Sequence, residues 1–204
     1  DWFSRLKKFD RSDKLNIYIN CITEMFDPHT NYFPPQDKEN FDIRMSGKLE
    51  GIGAQLQEKD GFLKVAAIVP GSPSYKQGQL KAGDIILKVA QGNAEPVDVT
   101  NMKIDDAIQL IRGKKGTEVR LTVKKPDESI VIIPIIRDVV VMEDSYAKSA
   151  VVELKGKKYG YINLPSFYLD MNDRNGRSCS KDIAIEIEKL KKDNVKGIIL
   201  DLRN

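Results

Sequence analysis

One histidine and two cysteines occur in 204 residues, and each scarcity closes off a class of chemistry. Cys21 and Cys179 lie far apart with no Cys-x-x-Cys partner, so neither a zinc site nor a disulfide framework is indicated, and two buried free thiols are expected. A Ser-His-Asp triad would have to use His29, which follows Pro28 in a turn and reads instead as a loop anchor held by hydrogen bonds. No stretch approaches the roughly 18 consecutive apolar residues of a membrane span, and no basic, apolar, small-residue leader opens the chain at Asp1-Trp2-Phe3. That opening reads as a cut-out of something longer. Charge of one sign is also missing: Lys+Arg 33 against Asp+Glu 30 leaves +3, with acids and bases interspersed, so there is no nucleic-acid footprint. Even the late cluster of Lys189, Lys191 and Lys192 sits among Glu186, Glu188 and Asp193 as a solvated helix face. Internal repeats and low-complexity tracts are absent.

What is present is a globular composition, 41% hydrophobic and 31% charged, which allows one large domain or two small ones with a sizeable core. Leu15, Ile19, Ile22 and Phe26 recur at helical spacing behind Ser12, an expected N-cap, and Trp2, Leu6 and Phe9 mark a shorter helical stretch before it. Asp27-Pro28-His29-Thr30 and Pro34-Pro35 punctuate the chain, and Gln36 to Met45 form a further helix. A first boundary falls near Ser46.

Residues 50 to 124 carry a more specific pattern. Glu50-Gly51-Ile52-Gly53-Ala54-Gln55-Leu56 opens it, followed by strand signals at Phe62 to Val69, a turn at Pro70-Gly71-Ser72-Pro73, a second at Lys81-Ala82-Gly83-Asp84, and strand Ile85 to Val89. Two glycines flanking one apolar residue directly ahead of a strand let backbone N–H groups converge without Cβ obstruction, forming a concavity for a carboxylate. A phosphate loop is the competing reading, but it needs a helix directly after the glycines, whereas Ala54 onward reads as strand. In the helix that follows, Ile104, Ile108 and Ile111 share one face, while Ala107 and Leu110 supply a second face toward the core. Strands Glu118 to Lys124 and Ile130 to Arg137, joined through Lys125-Pro126-Asp127-Glu128, then close a small barrel.

This order resembles a PDZ domain, with Gly51-Ile52-Gly53-Ala54 as the carboxylate loop and Ile104 to Arg112 as the groove helix. The resemblance implies that a C-terminal peptide adds as an edge strand beside Ala54 to Gln57. Its last side chain would enter a pocket of Ile52, Ala54, Leu56, Ile108 and Ile111, with Gly51, Gly53 and Ile104 completing the peptide-binding set. Ala54 replaces the family's usual phenylalanine and widens the pocket, and Ile104 stands where many such domains place a histidine, so the implied selectivity is loose and apolar.

After Val139 to Met142 the pattern changes to strand Tyr159 to Leu164, a polar loop through Asn172 to Arg177, helix Lys181 to Lys192 and strand Gly197 to Leu202. This is a βαβ unit whose last strand has the uninterrupted apolar character of one buried on both faces. The expected fold class is α+β: a helical segment (1–46), a PDZ-like small barrel with its groove helix (47–139), and the first βαβ part of an α/β core (140–204).

Asp27-Pro28-His29-Thr30-Asn31-Tyr32, Leu164-Pro165-Ser166-Phe167-Tyr168 and Ile198-Ile199-Leu200-Asp201-Leu202-Arg203-Asn204 resemble the tail-specific, or C-terminal processing, peptidases over nearly the whole chain. The resemblance implies a serine endopeptidase with a serine nucleophile and lysine base, no cofactor or metal, protein C-terminal tails as partners, and a bacterial, periplasmic envelope location. It places the serine, the lysine and most of the oxyanion hole after Asn204, so the 204 residues are expected to be catalytically silent. Ser-x-x-Lys at Ser4/Lys7, Ser145/Lys148 and Ser178/Lys181 lacks the companion motifs that would give it meaning. Asp201 reads as a loop-bracing carboxylate at a strand end. The competing function is a non-enzymatic PDZ adaptor.

Overall fold

The structure is a computed structural model that describes residues 2–7 and 9–203, with the side chains of all but Trp2, Ser4 and Arg5 among them. Asp1 and Asn204, named above as the ends of the chain, lie outside the described residues. The chain divides into two compact units, residues 1–46 with 168–178, and residues 47–167 with 179–204.

The first unit holds α1 (Trp2–Lys7), α2 (Arg11–Phe26) and α3 (Pro35–Ser46). The N-cap of α2 is Asp10, not the expected Ser12. The Asp10 carboxylate accepts from the Asp13 N–H at 2.9 Å while the Asp13 carboxylate accepts from the Asp10 N–H at 2.8 Å. Two acids three residues apart satisfy two helix-end donors reciprocally, which a single serine hydroxyl inside the first turn cannot do. The proline-rich connection is pinned to α2 by Asn20, which accepts from the Tyr32 N–H at 2.7 Å and donates to its carbonyl at 3.2 Å. His29 donates its backbone N–H to Asp27 at 2.9 Å and is otherwise largely exposed. Cys21 is exposed rather than buried, because it lies on a helix that buries none of its residues.

In the second unit, β1 (Lys48–Gly51) leads into β2 (Ala54–Lys59) and β3 (Phe62–Ile68), then α4 (Pro73–Gln77), β4 (Ile85–Gln91), β5 (Val97–Asp98) and α5 (Ile104–Ile111). β6 (Glu118–Lys124), β7 (Ile130–Ile136) and β8 (Asp138–Val141) follow. The main sheet runs β2-β3-β4-β6-β7 with β5 paired to β4, and a separate antiparallel ribbon joins β1 to β8. Strict alternation puts Val119, Leu121 and Val123 of β6 and Ile133 and Ile135 of β7 inside, leaving Ile130, Ile132 and Ile136 outside. These residues meet Ile52, Leu63, Val65, Ile86, Val89, Ala107 and Ile111 in one core. The expected turn at 70–73 is in part the start of α4: Ser72 is its N-cap, accepting from the Tyr75 N–H at 3.3 Å, and Pro73 occupies the first turn.

The chain continues through a short 3-10 turn (Glu143–Ser145) to β9 (Lys148–Leu154), β10 (Lys157–Asn163), α6 (Cys179–Lys192) and β11 (Ile198–Asp201). β10 and β11 are parallel with Gly160 opposite Ile198, so the βαβ unit forms as its apolar periodicity requires. α6 lies close on the sheet at Gly160, where an added Cβ would stand 2.6 Å from Leu190 Cδ1. β9, which alternation did not reveal, pairs antiparallel to the other side of β10. Burial of β11 on both faces is not realised: Ile198, Ile199 and Leu200 are each about half exposed, since β10 is the only strand that pairs with it among the described residues. Asp201 closes β11 and braces the next residues, accepting from the Arg203 N–H at 3.0 Å, its Nε at 2.8 Å and the Tyr161 hydroxyl at 2.6 Å.

Candidate functional site

The sheet ends at β2, whose second edge has no strand partner among the described residues. Beside it lies a cavity of about 640 Å³ lined by residues of the glycine loop, β2, the end of β3, and Ile108, Ile111 and Arg112 of the helix end. Ala54 and Leu56 pack against the core from β2, Ile52 is buried beneath them, and Ile108 is half-buried across the cavity. An extended chain could pair with the open β2 edge here while its terminal side chain enters an apolar pocket.

The glycine loop is held in one conformation. Gly53 adopts φ +73°, and a Cβ there would stand 2.2 Å from Ser72 Cβ, so glycine is required both by conformation and by space. The loop carbonyls are occupied: Ile52 O accepts from the Ser74 N–H at 2.9 Å, and Gly53 O from the Val69 N–H at 2.9 Å and the Ser72 hydroxyl at 3.2 Å. Among the described residues, neither the Ile52 nor the Gly53 N–H donates to a backbone carbonyl. Both residues line the cavity, where their N–H groups could take an acceptor.

Of the eight residues expected at a peptide site, the structure brings six to this cavity: Ile52, Gly53, Ala54, Leu56, Ile108 and Ile111. Gly51 does not line it, being paired opposite Asp138 in the β1–β8 ribbon. Ile104 lies with Leu63, Val99, Met102 and Ala107 around a separate small hollow, packed against the core. The expected split of the helix into a groove face and a core face is therefore corrected: Ile111 serves both, buried with Ala107, and Ile108 carries the open side.

Sequence reasoning missed two walls. Arg112 caps α5 by donating its N–H to Ile108 O at 2.8 Å, and its Cα lies 3.8 Å from where a Gly51 Cβ would stand, which sets a cationic residue beside the glycine loop. Its position directly after the apolar helix was the available signal. The second wall is Val141 to Ser145, which lines the cavity after β8 pairs back onto β1. The β1–β8 pairing joins segments distant in sequence, and no local motif announces it. It is reinforced by Lys115, whose Nζ lies 2.8 Å from Asp138 Oδ1 and whose N–H donates to Glu50 Oε2 at 3.1 Å. The Lys115 hydrogen bond is the main cause holding the Asp138 carboxyl below the usual aspartate value.

Comparisons with known proteins place the chain among relatives. Residues 41–124 match the family model for the PDZ domain, and residues 2–36 match that for the tail specific protease N-terminal domain. The tail-specific protease of Haemophilus influenzae is 34% identical over 201 residues, covering 98% of this chain and 28% of the relative. The carboxy-terminal processing protease CtpA of Bacillus subtilis is 35% identical, covering 89% of this chain and 35% of the relative. Among solved structures, the peptide complex of the PDZ domain of a carboxy-terminal protease from Vibrio cholerae is 39% identical, covering 46% of this chain and 97% of that one, with a TM-score of 0.44. The chain thus spans about a third of the length of these curated relatives. With both domain models matched in tandem and relatives so named aligned along nearly all of it, the chain is a PDZ-containing region of the tail-specific, or C-terminal processing, protease family.

Proposed function

We propose that the groove between β2 and α5 binds the C-terminal tail of a protein substrate through its free carboxylate and an apolar last side chain. The observation that carries this reading is the pair of N–H groups at Ile52 and Gly53, without a backbone acceptor among the described residues, at the edge of a cavity walled by Ile108 and Ile111. Arg112 lines the same cavity at the end of α5. Ile52, Gly53, Ala54, Leu56, Ile108 and Ile111 form the peptide-binding set in this proposal, with Gly51 leading into the loop from β1 and Ile104 anchoring the start of α5 against the core.

We infer further that the groove serves a serine endopeptidase of the bacterial envelope, acting in the periplasm, in which these residues form the substrate-recognition and partial scaffold region. The names of the bacterial relatives, a tail-specific protease, a carboxy-terminal processing protease and a probable CtpA-like serine protease, support the serine protease part of this reading. Division into a helical segment 1–46, a PDZ domain 47–139 and the start of an α/β peptidase core 140–204 belongs to the same proposal. In this proposal hydrolysis does not reside in the Ser145/Lys148 match. A lysine base must be unprotonated to accept a serine proton, whereas the Lys148 ammonium is held by Asp144 at 2.7 Å. The side chain of Ser4 lies outside the described residues.

The test is a calorimetric titration of the chain with a ten-residue peptide ending in two alanines, and with the same peptide extended by two aspartates. Binding of the first and not the second supports the reading; equal binding means that the groove takes internal segments and overturns it. Cleavage of either peptide that is lost in a variant with Ser145 and Ser178 replaced by alanine would overturn the assignment of the chain as recognition region only.

A further inference from the structure

Arg137 is buried to 2% exposure, and among the described residues no carboxylate pairs with it. A guanidinium does not lose its proton in a protein, so its charge must be met in place. It is met by the end of α5. Nε donates to Ile111 O at 2.8 Å and Nη2 to Leu110 O at 3.0 Å, both at the negative end of the helix. Nη2 also donates to Gln91 Oε1 at 2.6 Å, and Nη1 to Thr117 Oγ1 at 3.0 Å and to Glu118 O at 3.5 Å. Gln91 in turn donates its Nε2 to Leu110 O at 2.7 Å. Gly113, at φ +155°, leaves room for the flat group, since a Cβ there would stand 3.0 Å from Arg137 Nε and Cζ.

The next residue holds the opposite wall. Asp138 lies opposite Gly51 in the β1–β8 ribbon and takes the Lys115 ammonium, while the Lys115 N–H binds Glu50. One dipeptide therefore ties the helix that carries Ile108 and Ile111 to the strand that feeds the Ile52-Gly53 loop. Resting on the tail-binding reading above, we propose that Arg137 is a positioning residue that sets the separation of α5 from the glycine loop and so determines which terminal side chains the tail pocket accepts. It does not line the cavity; it acts through the carbonyls of Leu110 and Ile111. A lysine would keep the charge but lose the fork that reaches both carbonyls at once.

The test measures binding to the full chain of three peptides identical except for a C-terminal alanine, valine or phenylalanine, for wild type, Arg137→Lys, Gln91→Met and, as a control, Lys125→Met. The expected result is that Arg137→Lys weakens the best tail about tenfold and compresses the spread among the three tails to within about threefold. Gln91→Met, which keeps the guanidinium and removes one partner of it and of Leu110, moves the spread the same way by a smaller factor, and it carries the test should Arg137→Lys fail to fold. Lys125→Met removes a distant ion pair and lowers stability without altering the order or spread. A purely structural Arg137 would change melting temperature but leave the ratios at their wild-type values, and that result overturns the proposal while tail binding stands. Failure of wild type to bind any of the three peptides overturns the tail-binding reading itself.

Discussion

Gly53 and Ser72 are in such close approach that a methyl group on the glycine would sit 2.2 Å from the serine Cβ, and Ser72 in turn holds the Gly53 carbonyl and caps α4. The loop that lines the cavity with Ile52 and Gly53 is thereby fixed from behind by the start of a helix. Gly53→Ala adds left-handed backbone strain to a core overlap, a loss of roughly 2 to 5 kcal/mol. Urea unfolding should show it as a shift in midpoint, and tail binding should vanish even where the variant remains folded; a midpoint unchanged from wild type would mean the loop is free to move away from Ser72.

The two isoleucines of the groove helix should separate binding from folding. Ile108 is half-buried and lines the cavity, whereas Ile111 is also part of the core at 3% exposure. Ile108→Lys should keep a cooperative unfolding transition and weaken an apolar tail by at least about tenfold, while Ile111→Lys buries an unpaired charge and should not fold. Circular dichroism and titration of both variants check this; equal behaviour of the two would refute the assignment of faces.

Asp84 and Lys125 form an ion pair on a part of the sheet away from the groove, with the carboxylate 1% exposed and the N–O distance 2.7 Å. Asp84 also accepts from the Lys81 N–H at 2.8 Å. Asp84→Ala leaves the ammonium and the turn donor without their acceptor and should cost about 3 kcal/mol. Tail affinity of the folded variant should equal that of wild type, which a titration below the unfolding midpoint will show.

Asp201 and Asp138 both have carboxyls held below the ordinary value of 3.8, by hydrogen bonds from Arg203 and from Lys115 respectively. A depressed folded value means that the unfolded chain binds protons first as pH falls. The stabilisation is thus complete above about pH 4 and lost progressively below it. Thermal unfolding scans from pH 7 to pH 2 should be flat to about pH 4 and then decline. Asp201→Asn should be less stable than wild type at pH 7 and decline less steeply in acid; a parallel decline would show that Asp201 takes no part.

Much of this was legible along the chain because it is periodic or locally punctuated. Alternation in Val119, Leu121 and Val123 marked a strand, the Gly-Ile-Gly spacing marked the loop, and apolar spacing from Lys181 to Lys192 marked α6. What was not legible depends on pairing between distant segments. The β1–β8 ribbon, the wall it brings to the cavity and the burial of Arg137 by helix carbonyls come from contacts that no local pattern encodes. The N-cap of α2 is Asp10 instead of Ser12 because apolar periodicity locates a helix better than its first residue, and the reciprocal acids Asp10 and Asp13 outcompete Ser12. Ile104 has the right spacing for the groove face, yet the helix is short and its start turns toward Met102 and Leu63.

The central claim is that a terminal carboxylate occupies the N–H groups of the Ile52-Gly53 loop. It is tested most directly by comparing the affinity of one apolar-ended peptide as the free acid and as the C-terminal amide. Loss of the charged acceptor should weaken binding by about 1.5 to 3 kcal/mol, or roughly 10- to 150-fold. Equal affinity for the two forms would contradict the claim.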